Sequence, residues 1–417
     1  MAVSAVNPTT SSSPRPRKRK AHRKSKAGCR NCKLRRIKCD EALPTCVKCL
    51  EFAVSCNYNP KIPDLQPLEP HIRIKRTGTE LIQSPILSKQ DCITMISSSL
   101  RDDHPSPGLY LNFGVDELAR VHRFQTRTVL YMGPNSSIHE YEKEVLRLAC
   151  SHSFLMHIVL GVTASHDRHL QEHVTRAPFT AESYHLSRGI QLFHDKLSNP
   201  VISRDRDALW VASILLGIAS FSSIATGVVE EAWPLASEDL AWLRLSEGKR
   251  VVFQLTNPAR LDSAWRSSVK AYVSAVSLLV RDCHGETPFD HLCEEPGPDW
   301  PTSNPYQEMV PKLAHLLNLD YGESTFLPFL SFIMHMDRHF GDAVEQRDPW
   351  AMLMLAYWFA KVCRSRWWIA RRAILSGLAI CVYIERNFPH DERLQAACIL
   401  PKAVLEPAME ADGLKYS

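Results

Sequence analysis

No G-x-S-x-G, P-loop or H-E-x-x-H motif occurs in the 417 residues. Serine-hydrolase, nucleotide-dependent and zinc-protease chemistry therefore have no foothold, and no enzyme is expected. Long hydrophobic runs are missing too. The most apolar window, Ala208 to Phe221, contains two Ser and one Gly and falls short of the roughly 18 to 20 apolar residues that cross a bilayer. It predicts a buried helix and no membrane span. The opening "MAVSAVNPTTSSS" lacks a basic start followed by an apolar core, which argues against a secretory signal and for a reducing compartment, cytosol or nucleus. Alternating β-branched runs between turn residues are scarce, which disfavours a sheet.

Charge is present but unevenly placed. Residues 1–56 carry fourteen Lys/Arg against three Asp/Glu, whereas the remainder carries 36 against 42. A basic end on an acidic body suggests that the N-terminal segment alone meets a polyanion. Composition divides the chain into four regions. Residues 1–27 read as a disordered basic arm containing "PRPRKRKAHRKSK", and 28–57 as a cysteine-rich module. Residues 58–113 read as a linker, with seven prolines between 57 and 107, and 114–417 as one all-α domain. The linker shows no a/d heptad repeat, and Pro60, Pro63, Pro67 and Pro70 would break one. A homodimer stays open, but not one built on a coiled coil after the module.

Helical periodicity is clearest in "HSFLMHIVLGVTASH", where Leu155, Val159, Val162 and His166 share a face and Ser151 or Ser153 can cap the N-terminus. Further helices are predicted over Ala181 to Leu197, Arg206 to Ser222 and Asp239 to Leu255. Asp348 and Pro349 suit the N-cap and first-turn positions of a helix whose face runs through Met352, Leu355, Phe359 and Val362. Trp350, Tyr357, Trp358, Trp367 and Trp368 widen that face until the helix must lie deep in a bundle.

Six of the thirteen cysteines fall between positions 29 and 56. Their spacing, Cys29-x2-Cys32-x6-Cys39-x6-Cys46-x2-Cys49-x6-Cys56, repeats C-x2-C-x6-C twice. Three thiolates per half leave a tetrahedral Zn²⁺ one ligand short. If the first cysteine of each half bridges both metals, two Zn²⁺ ions each reach four sulfurs. A disulfide framework is the alternative, with fifteen pairings open to six cysteines. A RING-like module would need eight ligands with histidine among them, and only His22 is nearby.

Six thiolates and two Zn²⁺ leave a net negative charge that neighbouring cations can offset. Arg30, Lys33, Arg35, Arg36 and Lys38 lie in the first half, whereas the second has only Lys48. Both halves share the spacing but not the charge, so the first half must face something else that is negative. Its segment "CKLRRIKC" reads as a short basic helix suited to the major groove of double-stranded DNA, with Leu34 and Ile37 packing back against the second half and Val54 equivalent to Ile37. Arg17, Lys18, Arg19, Lys20, Arg23 and Lys24 of the arm can add phosphate contacts or serve as a nuclear localisation signal.

The pattern resembles the fungal Zn(2)-Cys(6) binuclear cluster family of transcription factors. That resemblance implies a nuclear, zinc-dependent regulator of RNA polymerase II transcription, with Cys29 and Cys46 as bridging ligands. One zinc would take Cys29, Cys32, Cys39 and Cys46, and the other Cys29, Cys46, Cys49 and Cys56. Arg35 and Arg36 match the adjacent pair that reads a CGG-type triplet, where lysines are commoner, and Pro44 matches the proline between the halves. "LACSHSFLMHIVLGVTASH", "WLRLSEGKRVV" and "DPWAMLMLAYWFAKVCRSRWW" look like the regulatory domain of the sterol-uptake-control subgroup. The implied partners are DNA, a small apolar effector and transcriptional co-regulators.

The other seven cysteines form no C-x2-C pair. Cys283, His284, His291 and Cys293 read as a loop with buried thiols. His157 and His166 read as hydrogen-bonded core histidines.

Overall fold

The computed structural model describes residues 27–42, 45–51, 54, 56–58, 64–65, 88–103, 113–170, 180–279, 287–293 and 304–416. The chain divides into two compact units, Met1–Leu87 and Ser88–Ser417. The basic arm residues Arg17 to Lys24 and Pro44 lie outside the described residues.

The first unit holds two one-turn helices, α1 (Arg30–Leu34) and α2 (Val47–Glu51). Its small core consists of the six cysteines and Val54, with Ile37 and Tyr58 packed against it.

The second unit is helical. It runs through α3 (Lys89–Asp103), α4 (Val115–Thr126), α5 (Asn135–Ala149), α6 (Ser153–His169), α7 (Thr180–Leu197) and α8 (Arg206–Ser222). It continues through α9 (Ala241–Thr256), α10 (Arg266–Leu279), α11 (Met309–Leu317), α12 (Phe326–Met334) and α13 (Arg338–Glu345). The last three are α14 (Pro349–Val362), α15 (Trp367–Asn387) and α16 (Glu392–Ala411). Apart from isolated bridges such as Val228 with Lys415, no strand occurs among the described residues.

Helix α14 forms the centre, with eleven of its fourteen residues buried. The expected start is present: Asp348 Oδ1 accepts from the Trp350 and Ala351 amides at 3.0 and 2.9 Å, and Pro349 opens the first turn. Trp367 and Trp368 do not extend this helix. Arg366 adopts an extended backbone, and the two tryptophans begin α15. By length and composition α15 could cross a membrane, but most of it is buried in the core. Pro401 and Pro407 stand inside α16, the kind of interruption that hides a helix from pattern reading.

Helices α6 and α7 pack closely because glycines face each helix's partner. A Cβ on Gly161 would lie 2.7 Å from the Leu186 side chain, and one on Gly189 would lie 2.6 Å from Ile158 Cγ1. The start of α6 departs from expectation. His152 occupies the N-cap, and the Ser151 hydroxyl donates to the Leu148 carbonyl, so neither serine caps the helix.

Helix α3 falls within the segment expected to be linker. Ile93 and Leu100 are buried and Ile96 packs beside them. Their helical spacing is obscured by the run of serines, Ser97 to Ser99, that separates Ile96 from Leu100. Helix α9 begins at Ala241 rather than Asp239, whose carboxylate is taken by Arg372 at 2.7 Å. The buried Arg372 guanidinium also donates to the carbonyls of Phe221 (2.7 Å) and Ser220 (3.2 Å). It thereby satisfies the carbonyl end of α8, where positive charge is favoured.

His157 Nδ1 and His185 Nδ1 lie 3.0 Å apart, and His166 Nδ1 lies 3.0 Å from Thr128 Oγ1. These are core histidines as expected. The loop reading of Cys293 fails in one respect, since its thiol is exposed. Cys283 and His284 lie outside the described residues.

Candidate metal centre and its basic face

All six module cysteines are buried and unbridged. Their sulfurs form two sets, Cys29, Cys32, Cys39, Cys46 and Cys29, Cys46, Cys49, Cys56, each with every sulfur within 4.8 Å of the others. Cys29 Sγ lies 3.8 Å from Cys46 Sγ and 3.5 Å from Cys49 Sγ, and Cys32 Sγ lies 3.5 Å from Cys46 Sγ. Four sulfurs around one zinc at about 2.3 Å would stand roughly 3.8 Å apart, whereas a disulfide needs about 2.05 Å. The residues fit two metal ions and do not fit the disulfide alternative. The donor set agrees with this. Burial raises the Cys32 and Cys49 thiols far above their ordinary value and Cys56 to about 12. At Cys29 burial is outweighed by hydrogen bonds from the Cys32 amide and neighbouring thiols, which bring it to about 7, so the cluster favours a shared negative charge that a cation would hold.

The duplication in sequence is a duplication in backbone. Cys29 and Cys46 each stand before a one-turn helix, and their sulfurs accept from the Cys32 and Cys49 amides at 3.5 and 3.4 Å. Each half then closes in the same way, with Ile37 N–H donating to the Cys32 carbonyl (3.1 Å) and Val54 N–H to the Cys49 carbonyl (3.0 Å). In the first half Arg36 N–H also reaches the Lys33 carbonyl at 3.2 Å, and Arg36 has φ 53°. Together these bonds make a Schellman ending, with arginine at the left-handed position where glycine is usual.

That ending shortens the expected basic helix. Only Arg30 and Lys33 of the five cations lie on α1, whereas Arg35 and Arg36 form the turn and Lys38 follows it. Lys33, Arg36 and Lys38 are exposed. Arg30 Nη2 pairs with Asp64 at 2.8 Å, and Arg35 Nη1 donates to the Lys48 carbonyl at 3.1 Å, tying the first half to the second. Leu34 does not pack inward as expected but is 55% exposed, because the inward face of so short a helix is taken by Asn31 and Cys32. Ile37 and Val54 do pack on the cluster.

Sequence reasoning missed a polar brace around the metal site. Asn31 N–H donates to Asn57 Oδ1, Asn57 Nδ2 donates to Asp64 Oδ1, and Leu65 N–H donates to Asn31 Oδ1, at 2.7, 2.7 and 2.8 Å. Asn31 and Asn57 are fully buried. The Tyr58 hydroxyl lies 3.2 Å from Cys39 Sγ. The available signal was the polar Asn31 inside a C-x2-C pair, a position that a metal site leaves no room to expose.

Residues 27–64 match the fungal Zn(2)-Cys(6) binuclear cluster domain. The match reaches as far as Asp64, the outer member of the brace. Among curated proteins, the chain is 29% identical to "Zn(2)-C6 fungal-type transcription factor afumD" of Aspergillus fumigatus over 239 residues, 56% of each chain. It thus spans little more than half of that relative. It is 23% identical to a "Zn(2)-C6 fungal-type transcription factor" of Gibberella zeae over 428 positions, 87% of this chain and 83% of the relative. It is 58% identical to "Sterol uptake control protein 2" of Saccharomyces cerevisiae over 43 residues, 10% of this chain and 5% of that protein.

Proposed function

The chain belongs to the fungal Zn(2)-Cys(6) binuclear cluster family, and on that premise we propose that it is a nuclear, sequence-specific regulator of transcription whose DNA contact is made by the first half of the cluster. The observation that carries this reading is the pairing of two buried sulfur tetrads with an exposed cationic face on one half only. Cys29 and Cys46 would bridge two zinc ions, with Cys32 and Cys39 completing one site and Cys49 and Cys56 the other. Zinc supplies the charge that holds six thiolates together and gives a peptide with almost no core its shape.

The first half would enter the major groove at a CGG-like triplet, with Arg35 and Arg36 as the pair that reads it and Arg30, Lys33 and Lys38 as further DNA contacts. Lys33 projects from α1, and Arg36 and Lys38 follow from its closing turn, so the reading head is the C-terminal edge of the short helix rather than its length. Arginine is suited to guanine O6 and N7. The basic arm would add phosphate contacts that favour every sequence alike. The helical unit, 114–417 with α3 before it, would regulate this output through co-regulators or an effector. Binding-site selection from random duplex DNA by the zinc-loaded full chain tests the reading. Enrichment of a CGG-like triplet is expected, and failure to enrich any motif counts against it.

A second reading makes the helical unit a receptor for a small apolar molecule, with DNA binding as its output. It is favoured by a cavity of about 290 Å³ inside that unit, lined mainly by aromatic and aliphatic side chains. An apolar compound that raises the thermal midpoint of the chain would support it.

A further inference from the structure

The cavity in the helical unit contains a charge that its walls do not balance. It lies among α5, α8, α9, α10, α12 and the start of α15, with Trp210, Phe221, Trp242, Phe253, Trp265 and Phe326 among its aromatic lining. Arg372 steadies this wall, since its guanidinium holds the carbonyls of Phe221 and Ser220 and lies over the Phe221 and Trp242 rings at 5.5 and 6.0 Å. Among the described lining residues three can be cationic, Lys249, Arg250 and His335, and none is Asp or Glu. His335 is engaged by the Tyr272 hydroxyl at 3.0 Å, and Arg250 is exposed.

Lys249 is the exception. Its side chain reaches from α9 across to α8, where a Cβ on Gly217 would stand 2.4 Å from Lys249 Nζ. The absent side chain of Gly217 is the space that the ammonium occupies. Among the described side chains, which leave out that of Glu247, no carboxylate pairs with it, and burial lowers its pKa to about 8. A cation held in an apolar wall is costly unless an anion joins it. A neutral hydroxyl could accept one hydrogen bond from Lys249 but would leave the charge uncompensated.

We propose that this cavity takes an amphiphilic carboxylate, a single acid head on Lys249 Nζ and an apolar body among the aromatic side chains. The proposal rests on the receptor reading of the helical unit and names the ligand chemistry of that site. Orientation follows from the walls: Lys249 Nζ, seated against Gly217, fixes the head, and the aromatic and aliphatic side chains favour hydrocarbon.

Dodecanoate and its methyl ester, which share a chain and differ in charge, test it on the full-length protein through thermal midpoint and tryptophan fluorescence. Dodecanoate is expected to raise the midpoint and to bind at least tenfold more tightly than the ester. Lys249→Met should remove that preference, and Lys249→Arg should keep it. Lys249→Met should also raise the midpoint of the ligand-free protein, an outcome that a merely structural lysine would not give. Equal binding of acid and ester to the wild type, or an undiminished preference in Lys249→Met, overturns the carboxylate and leaves the receptor reading standing. If neither compound binds, and ergosterol does not either, both fall.

Discussion

Cys29 Sγ and Cys46 Sγ lie 3.8 Å apart, each at the head of its own one-turn helix. They are the only two cysteines common to both sulfur tetrads. A bridging position serves two metals, so Cys29→Ser or Cys46→Ser should release both, whereas Cys39→Ser should weaken one site more than the other. Structural zinc contributes about 10 to 16 kcal/mol in small modules, enough to decide whether the module folds. Native mass spectrometry of the variants checks this, and two zinc ions retained in Cys29→Ser would remove the bridge assignment.

Arg36 combines an exposed side chain with a left-handed backbone at φ 53°, and two substitutions separate those roles. Both Arg36→Ala and Arg36→Gly delete the side chain, but glycine relieves about 1 kcal/mol of backbone strain that alanine keeps. If the guanidinium reads a base, both should lose about 1 to 3 kcal/mol of discrimination at one position. Competition binding against single-base variants of the selected site measures it. Unchanged discrimination in Arg36→Gly would move the reading role to a neighbour.

The arm gives a different signature. Removing residues 14–26 should weaken binding to specific and non-specific DNA in parallel and flatten the dependence of affinity on salt, because phosphate contacts release counterions without reading sequence. Loss confined to the preferred site would mean that the arm reads bases.

In the helical unit, Gly189→Ala forces a Cβ to within 2.6 Å of Ile158 Cγ1 and 3.2 Å of its backbone nitrogen. Overpacking of this kind costs about 1 to 3 kcal/mol. Gly341, in α13, has nothing within 4 Å of an added Cβ, and Gly341→Ala should stabilise by about 0.5 to 1 kcal/mol. Chemical denaturation of the two variants should move the midpoint in opposite directions.

Three buried histidines set an acid limit. Burial holds His157 and His166 down to about 3 and His185 to about 4, with each also near other cationic groups or histidines. Unfolded histidine titrates near 6.5, so between that value and the folded values the unfolded chain binds more protons and stability rises with pH. Stability should therefore be flat above about pH 7 and fall as pH drops below about 6.5, by up to roughly 1.4 kcal/mol per pH unit for each histidine. All nine tryptophans lie outside the cysteine module, so their fluorescence reports this unit apart from acid release of metal. A pH-independent midpoint between 5 and 7 would contradict the assignment.

The sequence was most legible where chemistry or period left few choices. The C-x2-C-x6-C duplication located all six sulfurs, and Asp348 followed by Pro349 located the start of α14, because a metal tetrad and a helix N-terminus each accept few residue types. Less legible were features settled by tertiary contact. The extent of α1 depended on a left-handed arginine, which propensity disfavours. Asn31, Asn57 and Asp64 converge from positions 26 and 7 residues apart, and no local pattern marks such a brace. Helix α3 was hidden by its serines and α16 by two prolines, whose costs are offset by the packing of Leu100, Leu405 and Met409. No motif in the sequence marks Lys249, and only the placement of Gly217 opposite makes it distinctive.

The most direct measurement is metal and thiol content of the purified full-length chain. Inductively coupled plasma mass spectrometry should find two zinc ions per molecule, and all thirteen thiols should titrate once the metal is chelated in denaturant. A chain with no transition metal and with cysteines 29 to 56 joined in disulfides would contradict the account.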